Sequence, residues 1–485
     1  MIRRLAATQI ATLLFAAAVI IPTSANAGGL EVADLGSVAL GRGTAFVARA
    51  DNLSAFHYNP AGLSKQPGLN ILVSGNVVNL NIDYQRAGSG EPVLINGWEV
   101  ANPALDYSGG PEGVPFASVS SDHRFGPAPL VAFSWGDAFD VEGLALAVGL
   151  TTPSSFGMPA YPKNGPQRYA MRDANFLIVY PGLGASYSFN RYIQVGAVFI
   201  AGVAKLEQSQ AIRLLPQPGN TITYNEHAEG DADLRIETLD PFMPTAIIGL
   251  LSNPLDWLEI GVAFKFPMKV EAGGTVHYKP PISDLPDSRL VPGRDSVTLR
   301  QTFPWVLRTG VRYIHQRFDV ELDFVYEGWS MLQKFEVDMD ADLDDGMAVQ
   351  HLPDVDVPKH FRDAWSLRLG GDVEVWPEHI AIRIGCFYQA SAYQENRDTF
   401  SLDFPYDQQI GVGGGLTWHA WKHLDVHAGY MHVFQWDVDV TDGIVQQQGM
   451  PLETADGPAN IGNTVNNGHY EVDLNIFGAS LEAHF

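Results

Sequence analysis

Beyond residue 69 the chain alternates polar and apolar residues with a period of two, the mark of strands with one apolar face. In 319–327, Val320, Leu322, Phe324 and Tyr326 alternate with Asp319, Glu321, Asp323 and Glu327. In 365–375, Trp365, Leu367, Leu369, Val373 and Val375 oppose Ser366, Arg368, Asp372 and Glu374. In 258–266, Leu258, Ile260, Val262, Phe264 and Phe266 oppose Glu259, Gly261 and Lys265. The pattern predicts fourteen strands, at 69–85, 128–137, 143–152, 174–190, 192–208, 243–252, 256–270, 299–315, 316–329, 363–375, 377–391, 408–419, 422–438 and 469–485. A soluble sandwich also carries apolar stripes. It does not need so many strands with charges on one face and bulky apolar groups on the other.

The connections alternate in length. Short turns fall at Asn190-Arg191, Asn253-Pro254, His315-Gln316, Pro377-Glu378 and Trp421-Lys422, with a slightly longer one near Asp137 to Glu142. Long connections fill 86–127, 153–173, 209–242, 271–298, 330–362, 392–407 and 439–468. An even strand count, short turns on one side and long loops on the other predict an all-β fold, a fourteen-stranded antiparallel transmembrane β-barrel. Phe189, Tyr192, Trp257, Tyr313, Phe318, Trp376, Trp418 and Trp421 flank the short turns, as a girdle at the headgroup boundary requires. Phe477, Leu481 and Phe485 give the last strand an apolar face with a terminal aromatic, while upstream the phase flips to Tyr470, Val472, Leu474 and Ile476. A bulge near Ile476-Phe477 is the expected reconciliation.

The N-terminus sets the compartment. Arg3 and Arg4, an apolar run from Ile10 to Ile21, and Ala25-Asn26-Ala27 predict a cleaved export signal over 1–27. The run is shorter than the roughly 20 residues a spanning helix needs. Loss of Arg3 and Arg4 lowers 30 basic residues to 28 against 55 acidic ones, a mature charge of −27. Such an excess argues against a nucleic-acid partner, because a polyanion is repelled. The single cysteine, Cys386, excludes an internal disulfide.

Residues 28–68 precede the first strand and are too few to fold alone. They contain Leu40-Gly41-Arg42-Gly43 and Asn59-Pro60-Ala61. Further along stand Thr151-Thr152-Pro153 with Phe156-Gly157, Arg168-Tyr169, Trp329-Ser330 and Arg362-Asp363-Ala364-Trp365. In their order and spacing these motifs resemble the FadL-type outer-membrane transport proteins for long-chain fatty acids and other hydrophobic compounds, over essentially all of 28–485. The resemblance implies that 28–68 is a hatch inside a barrel formed by 69–485, with Gly41, Arg42, Asn59, Pro60 and Ala61 in the gating segment. It implies a hydrophobic small-molecule ligand, recognition of the strand ending at Phe485 by the barrel-assembly machinery, and residence among outer-membrane lipid and lipopolysaccharide. The chain is expected to act as a monomer. Pro153 cannot donate a ladder hydrogen bond, and in the resembled family a kink in this strand opens the wall sideways. Lys205, in a segment resembling one that carries ligand-binding cations, and Lys334, at a comparable strand end, are the candidates for pairing with a ligand carboxylate.

The remaining chemistry points to transfer, not reaction, and to no cofactor. His419, His423, His427 and His432 invite a metal reading, but residues four apart on a strand lie about 13 Å from each other. Gly411, Gly413, Gly414 and Gly415 precede no helix and serve close packing inside the barrel rather than a phosphate. The acidic run 335–357 places Gly346 one position late for an EF-hand and reads as a solvated outer loop. Arg308, Arg312, Arg368 and Arg383 are expected to pair with Asp319, Glu321, Asp323, Asp372 and Glu374 as a ladder of salt bridges along the lumen wall. The favoured function is passive uptake of a hydrophobic solute, with long-chain fatty acids first among fatty acids, alkanes and aromatic hydrocarbons. A general porin or structural barrel is the alternative, and an outer-membrane lipase the third.

Overall fold

The computed structural model describes residues 35–88, 94–95, 98–99, 116–122, 124–152, 160–213, 231–280, 289–344, 349–446, 452–454, 457–459 and 464–485. The leader over 1–27, the start of the hatch and Pro153 lie outside them. Fourteen antiparallel strands form the wall: β1 (Leu69–Arg86), β2 (Arg124–Gly136), β3 (Leu144–Thr151), β4 (Asp173–Asn190), β5 (Ile193–Arg213), β6 (Asp231–Leu255), β7 (Leu258–Lys265 continued by Met268–Lys279), β8 (Arg289–Phe303 continued by Val306–Ile314), β9 (Phe318–Glu327), β10 (Ala364–Trp376), β11 (Ile380–Gln389), β12 (Gln409–Trp421), β13 (Leu424–Gln435) and β14 (Gly468–His484). Each pairs with its neighbours, and β1 pairs with both β2 and β14, so the sheet closes on itself. Closure joins the first strand to the last, so the sheet has no terminal strand to expose to lipid, which offers no hydrogen bonds.

The strands are longer than their alternation predicted. β6 begins at Asp231, and the 271–298 connection is largely strand. The reason is a change of surroundings along each strand. In β1, Leu69, Ile71, Val73 and Val77 face outward and are exposed, whereas Asn79, Asn81, Asp83 and Gln85 continue the same face. The inner face changes in the opposite sense, from Asn70, Ser74 and Asn76 to Val78, Leu80, Ile82 and Tyr84, all buried. Near the short turns lipid lies outside and a polar lumen inside. Toward the long loops water lies outside and the lumen is apolar.

The same reversal corrects the expectation for β14. Its pairing with β1 runs without a slip from Asn70 opposite His484 to Arg86 opposite Gly468, so there is no bulge at Ile476-Phe477. Tyr470, Val472, Leu474 and Ile476 point into the lumen and are buried, and Phe477, Leu481 and Phe485 point into lipid. Two apolar faces at two depths gave the phase change.

Aromatic rings mark both membrane boundaries. Phe189, Tyr192, Trp257, Tyr313, Phe318, Trp376, Trp418 and Trp421 are all exposed beside the short turns. A second band crosses β7 to β11: Phe264 stacks on Trp305 and Trp305 on Tyr326, and Tyr326 stands opposite Trp365, which meets Tyr388. β7 and β8 are broken at this band by Pro267 and Pro304, and β9 ends there at Glu327, followed by Gly328. From Phe318 to Tyr326 a strand rises about 26 Å. At the usual tilt that is about 20 Å of membrane, close to the apolar band of roughly 25 Å seen in outer-membrane barrels. Beyond the band, Lys334–Asp344 folds back on Val355–Pro358, so the acidic run described here is an outer hairpin. Asp345 and Gly346 lie outside the described residues.

Leu322 lies midway between the two bands and is exposed to lipid. Leu322→Arg should cost about 2–4 kcal/mol of barrel stability, the penalty for a cation at mid-membrane. Val349→Arg, beyond the outer band, should cost less than about 1 kcal/mol. Urea unfolding in lipid vesicles measures both, and equal costs would refute the assigned membrane position.

Candidate functional site

The hatch is built from two short helices, α1 (Ser37–Gly41) and α2 (Ala55–Tyr58), and a 3-10 turn over Pro60–Lys65. Neither helix has the length to stand alone, so the wall must hold them. It does so first with buried charge. The Arg42 guanidinium, fully buried, meets Asp319 at 2.8 Å, Glu321 at 3.1 Å and Asp372 at 2.5 Å, and its Nε donates to the Ala45 carbonyl at 3.0 Å. Arg49 reaches Asp372 at 2.8 Å. Four successive hatch amides then donate to two β9 carboxylates. Phe46 and Val47 give theirs to Asp323 at 2.8 and 3.0 Å, and Ala48 and Arg49 give theirs to Glu321 at 2.7 and 3.2 Å.

The predicted lumen charges are therefore brought together, but mainly as a seat for the hatch. Arg368 donates to the Thr44 hydroxyl at 2.9 Å, and Arg308 lies 3.5 Å from the ring of His57. Wall-to-wall pairs are fewer: Arg312 with Glu259 at 2.9 Å and Asp319 at 3.0 Å, and Arg383 with Asp372 at 3.3 Å. Glu374 stays exposed at the rim and joins no ion pair among the described residues, which removes it from the ladder. Strand alternation shows that these side chains share the lumen. It does not show that the chain's own N-terminal segment is their partner.

Shape completes the seat. A side chain at Gly385 or Gly370 would strike the Arg42 backbone, with a Cβ falling 2.0 or 2.2 Å from it. At the opposite wall, Asn59 donates to the Val47 carbonyl at 2.9 Å and the Leu250 carbonyl at 3.2 Å, and its Oδ1 accepts from Ala61 at 3.2 Å. Pro60 packs on Gly196 and Gly249, and Lys65 pairs with Glu259 at 2.9 Å. Gly41 lies against Arg383 and Gly415, and Gly413 faces the Leu40 carbonyl. The glycine-rich segment of β12 thus gives the hatch backbone room.

The hatch separates two spaces of opposite character. On the short-turn side is a polar vestibule lined by Arg49 and Asp51 of the hatch and by His419, Asp425, His427, Glu482 and His484 of the wall. His419, His423, His427 and His432 do not converge. His419 binds Asp425 at 2.7 Å, His427 binds Glu482 at 3.2 Å, His423 binds the His484 carbonyl and His432 binds Asn475. On the long-loop side is an apolar chamber lined by Phe176 and Ile178 of β4, Leu206 of β5, Leu234 and Ile236 of β6, Leu299 and Phe303 of β8, Phe335, Val337 and Met339 of the outer hairpin, and Leu402 and Phe404. It lies about 33 Å along β5 from the glycine that seats Pro60.

The two candidate lysines do not line it. Lys205 is on the outward face of β5, half-exposed and paired with Glu207 at 2.5 Å, because the inward positions are Ala204 and Leu206. Lys334 also faces water, paired with Asp356 at 2.9 Å and Glu336 at 3.0 Å. A cation that does stand behind the chamber wall is Lys359, which pattern reasoning missed because it lies in a loop with no periodicity. It is wholly buried, with Nζ 2.7 Å from Asp403 and 3.2 Å from the Ser401 hydroxyl, over the rings of Phe335 and Phe404. Burial pulls its ammonium below the usual lysine range, and Asp403 opposes that shift.

Among the described residues, the wall is incomplete at the chamber. β3 pairs with β2 only from Val131 downward and with β4 only as far as Tyr180. The facing edges, 124–130 of β2 and 173–179 of β4, have no strand partner between them among the described residues. Phe176 and Ile178, which line the chamber, sit on that edge. Pro127 and Pro129 on the other edge lack amide protons.

A closed barrel with a seated plug and an apolar outer chamber is the architecture of an outer-membrane channel for hydrophobic compounds. The chain matches the family described as outer membrane protein transport protein (OMPP1/FadL/TodX) over residues 18–485, and it belongs to that family, one of transport and not of catalysis. Its fold is similar to that of a FadL homologue from Pseudomonas aeruginosa, at 17% identity and a TM-score of 0.71, covering 94% of this chain and all of that one. It is also similar to the toluene transporters TodX of P. putida, at 14% identity and 0.61 over 92% and 99% of the two chains, and TbuX of Ralstonia pickettii, at 14% and 0.58 over 94% and 99%. Among curated protein sequences none matches the chain.

Removing one partner of a buried ion pair costs about 3–5 kcal/mol. Arg42→Ala leaves Asp319, Glu321 and Asp372 without their shared cation and should unseat the hatch, as should Gly385→Val by steric conflict. Both variants are expected to keep a heat-modifiable barrel on gels while gaining ionic conductance and protease cleavage within 35–68. Wild-type conductance in both would rule out this network as the seat.

Proposed function

We propose that the protein takes up hydrophobic molecules passively. A ligand is captured at the long-loop side, binds in the apolar chamber, and leaves through the wall between β2 and β4 while the hatch stays seated. The observation that carries this reading is the chamber itself, whose apolar lining continues onto the edge of β4 that has no strand partner among the described residues. An apolar solute gains about 25 cal/mol for each Å² it removes from water, so such a chamber concentrates it without an energy source. Lateral exit is supported by the cost of the alternative. Passage through the hatch requires breaking the ion pairs of Arg42, Arg49 and Lys65 and then crossing a polar vestibule, which a hydrophobic solute enters unfavourably.

The fatty-acid form of this reading drew on Lys205 and Lys334, and with both side chains turned outward neither supports a carboxylate in the chamber. Asn59, Pro60 and Ala61 act in this scheme as the far anchor of the hatch.

The test locks the hatch. In a Cys386→Ala background, Lys65→Cys and Glu259→Cys are joined by a short bis-maleimide linker, and uptake of a fluorescent hydrophobe into proteoliposomes is compared before and after linking. Uptake is expected to persist at about the unlinked rate, since the seated hatch is the resting state. Loss of uptake on linking would transfer release to the hatch, and ionic conductance with no ligand selectivity would make the protein a general porin.

A further inference from the structure

Among the described residues, the chamber wall holds no cation. Of the residues that line it, Asp403 alone is charged. The cation behind the wall, Lys359, is already held by Asp403 and Ser401. Nearby arginines are likewise engaged, Arg168 with Asp231 at 2.6 Å and Arg172 with Asp233 at 2.9 Å. A ligand carboxylate entering this space would lose its hydration and meet a carboxylate of the protein first. An unpaired buried anion is costly.

The wall is not purely apolar either. Gln208 and Gln210 of β5 and Gln301 of β8 line the same chamber, and none of the three amides makes a side-chain hydrogen bond among the described residues. Thr238 joins them on β6. Uncharged donors and acceptors set in an apolar wall favour a ligand that pairs with them, and they penalise one that cannot.

We infer that the chamber selects an uncharged hydrophobic molecule bearing a hydrogen-bonding group such as a hydroxyl, carbonyl or ester, and that the Lys359–Asp403 pair excludes carboxylates from it. The inference rests on the uptake reading above. Asp403 is the specificity-determining residue in a particular sense. By neutralising Lys359 it withholds a cation that a fatty acid would need, and its own charge faces the chamber. Replacing it by its neutral isostere keeps the shape and frees the ammonium.

The experiment uses the full chain in detergent and two matched series at pH 8, where a carboxylic acid in water is ionised. One series is hexadecane, hexadecan-1-ol, methyl hexadecanoate and hexadecanoic acid, and the other toluene, benzyl alcohol and benzoate. In whichever series binds, the alcohol is expected to bind about tenfold tighter than the acid and severalfold tighter than the hydrocarbon, a hydrogen bond's worth of discrimination. Asp403→Asn should raise affinity for the acid about tenfold or more while leaving the alcohol nearly unchanged. Gln208→Leu with Gln301→Leu should erase the preference for alcohol over hydrocarbon. Retained binding of the hydrocarbon in these variants reports that the chamber is still folded. An acid that binds as tightly as the alcohol in the unsubstituted protein overturns the inference and leaves hydrophobic uptake standing, as does an Asp403→Asn protein with no gain for the acid. No binding by any member of either series overturns the chamber as a ligand site, and the inference with it.

Discussion

Three carboxylates on one wall strand organise this molecule. Asp319, Glu321 and Asp323 project from β9 into the lumen, where Glu321 and Asp323 are fully buried. A carboxylate in that position is tolerated only when paired and hydrogen-bonded. The wall supplies part of what is needed through Arg312, but most comes from residues 42–49, as a guanidinium and four backbone amides. The plug is thereby not an independent domain resting in a tube. Too short to fold by itself, it completes the hydrogen bonding of a wall that could not otherwise keep its charges. Because the unfolded barrel and the unseated hatch both leave those charges unpaired, closure of the wall and seating of the plug stabilise each other.

The second organising fact is the depth at which each residue sits. One strand, β1, is apolar outside and polar inside over its first half, then polar outside and apolar inside over its second. No side chain changes face, since the strand keeps its period of two. What changes is the medium on each side. Inside, the reversal places polar groups around the plug and apolar groups around the chamber, so the gradient of solvation along the lumen is written in the same strands that satisfy the membrane. The breaks at Pro267 and Pro304, and the end of β9 before Gly328, fall at the outer aromatic band. The wall bends where its outer surroundings change from lipid to water.

Much of this was legible from the chain alone. Fourteen strands, the side of the short turns, the lower girdle and the resemblance of the N-terminal segment to a hatch follow from period, turn chemistry and motif, because a membrane wall tests one residue in every two against lipid. Legibility failed wherever that test was absent. Above the membrane the outward residues are polar and the inward ones apolar, so 231–242 of β6 and the stretches 271–279 and 289–298 looked like loops, and the phase change in β14 looked like a bulge. Lys205 and Lys334 were chosen for their place at strand ends, and a single register decided that both point away from the chamber.

The sequence by itself thus determined the barrel, because local alternation is enough to say which residues meet lipid. Only the tertiary structure decided the site. Arg42 lies 277 positions before Asp319 and 330 before Asp372, and Lys359 meets Asp403 from another loop. Such partners are fixed by closing the wall, through contacts too remote along the chain for any local pattern to record.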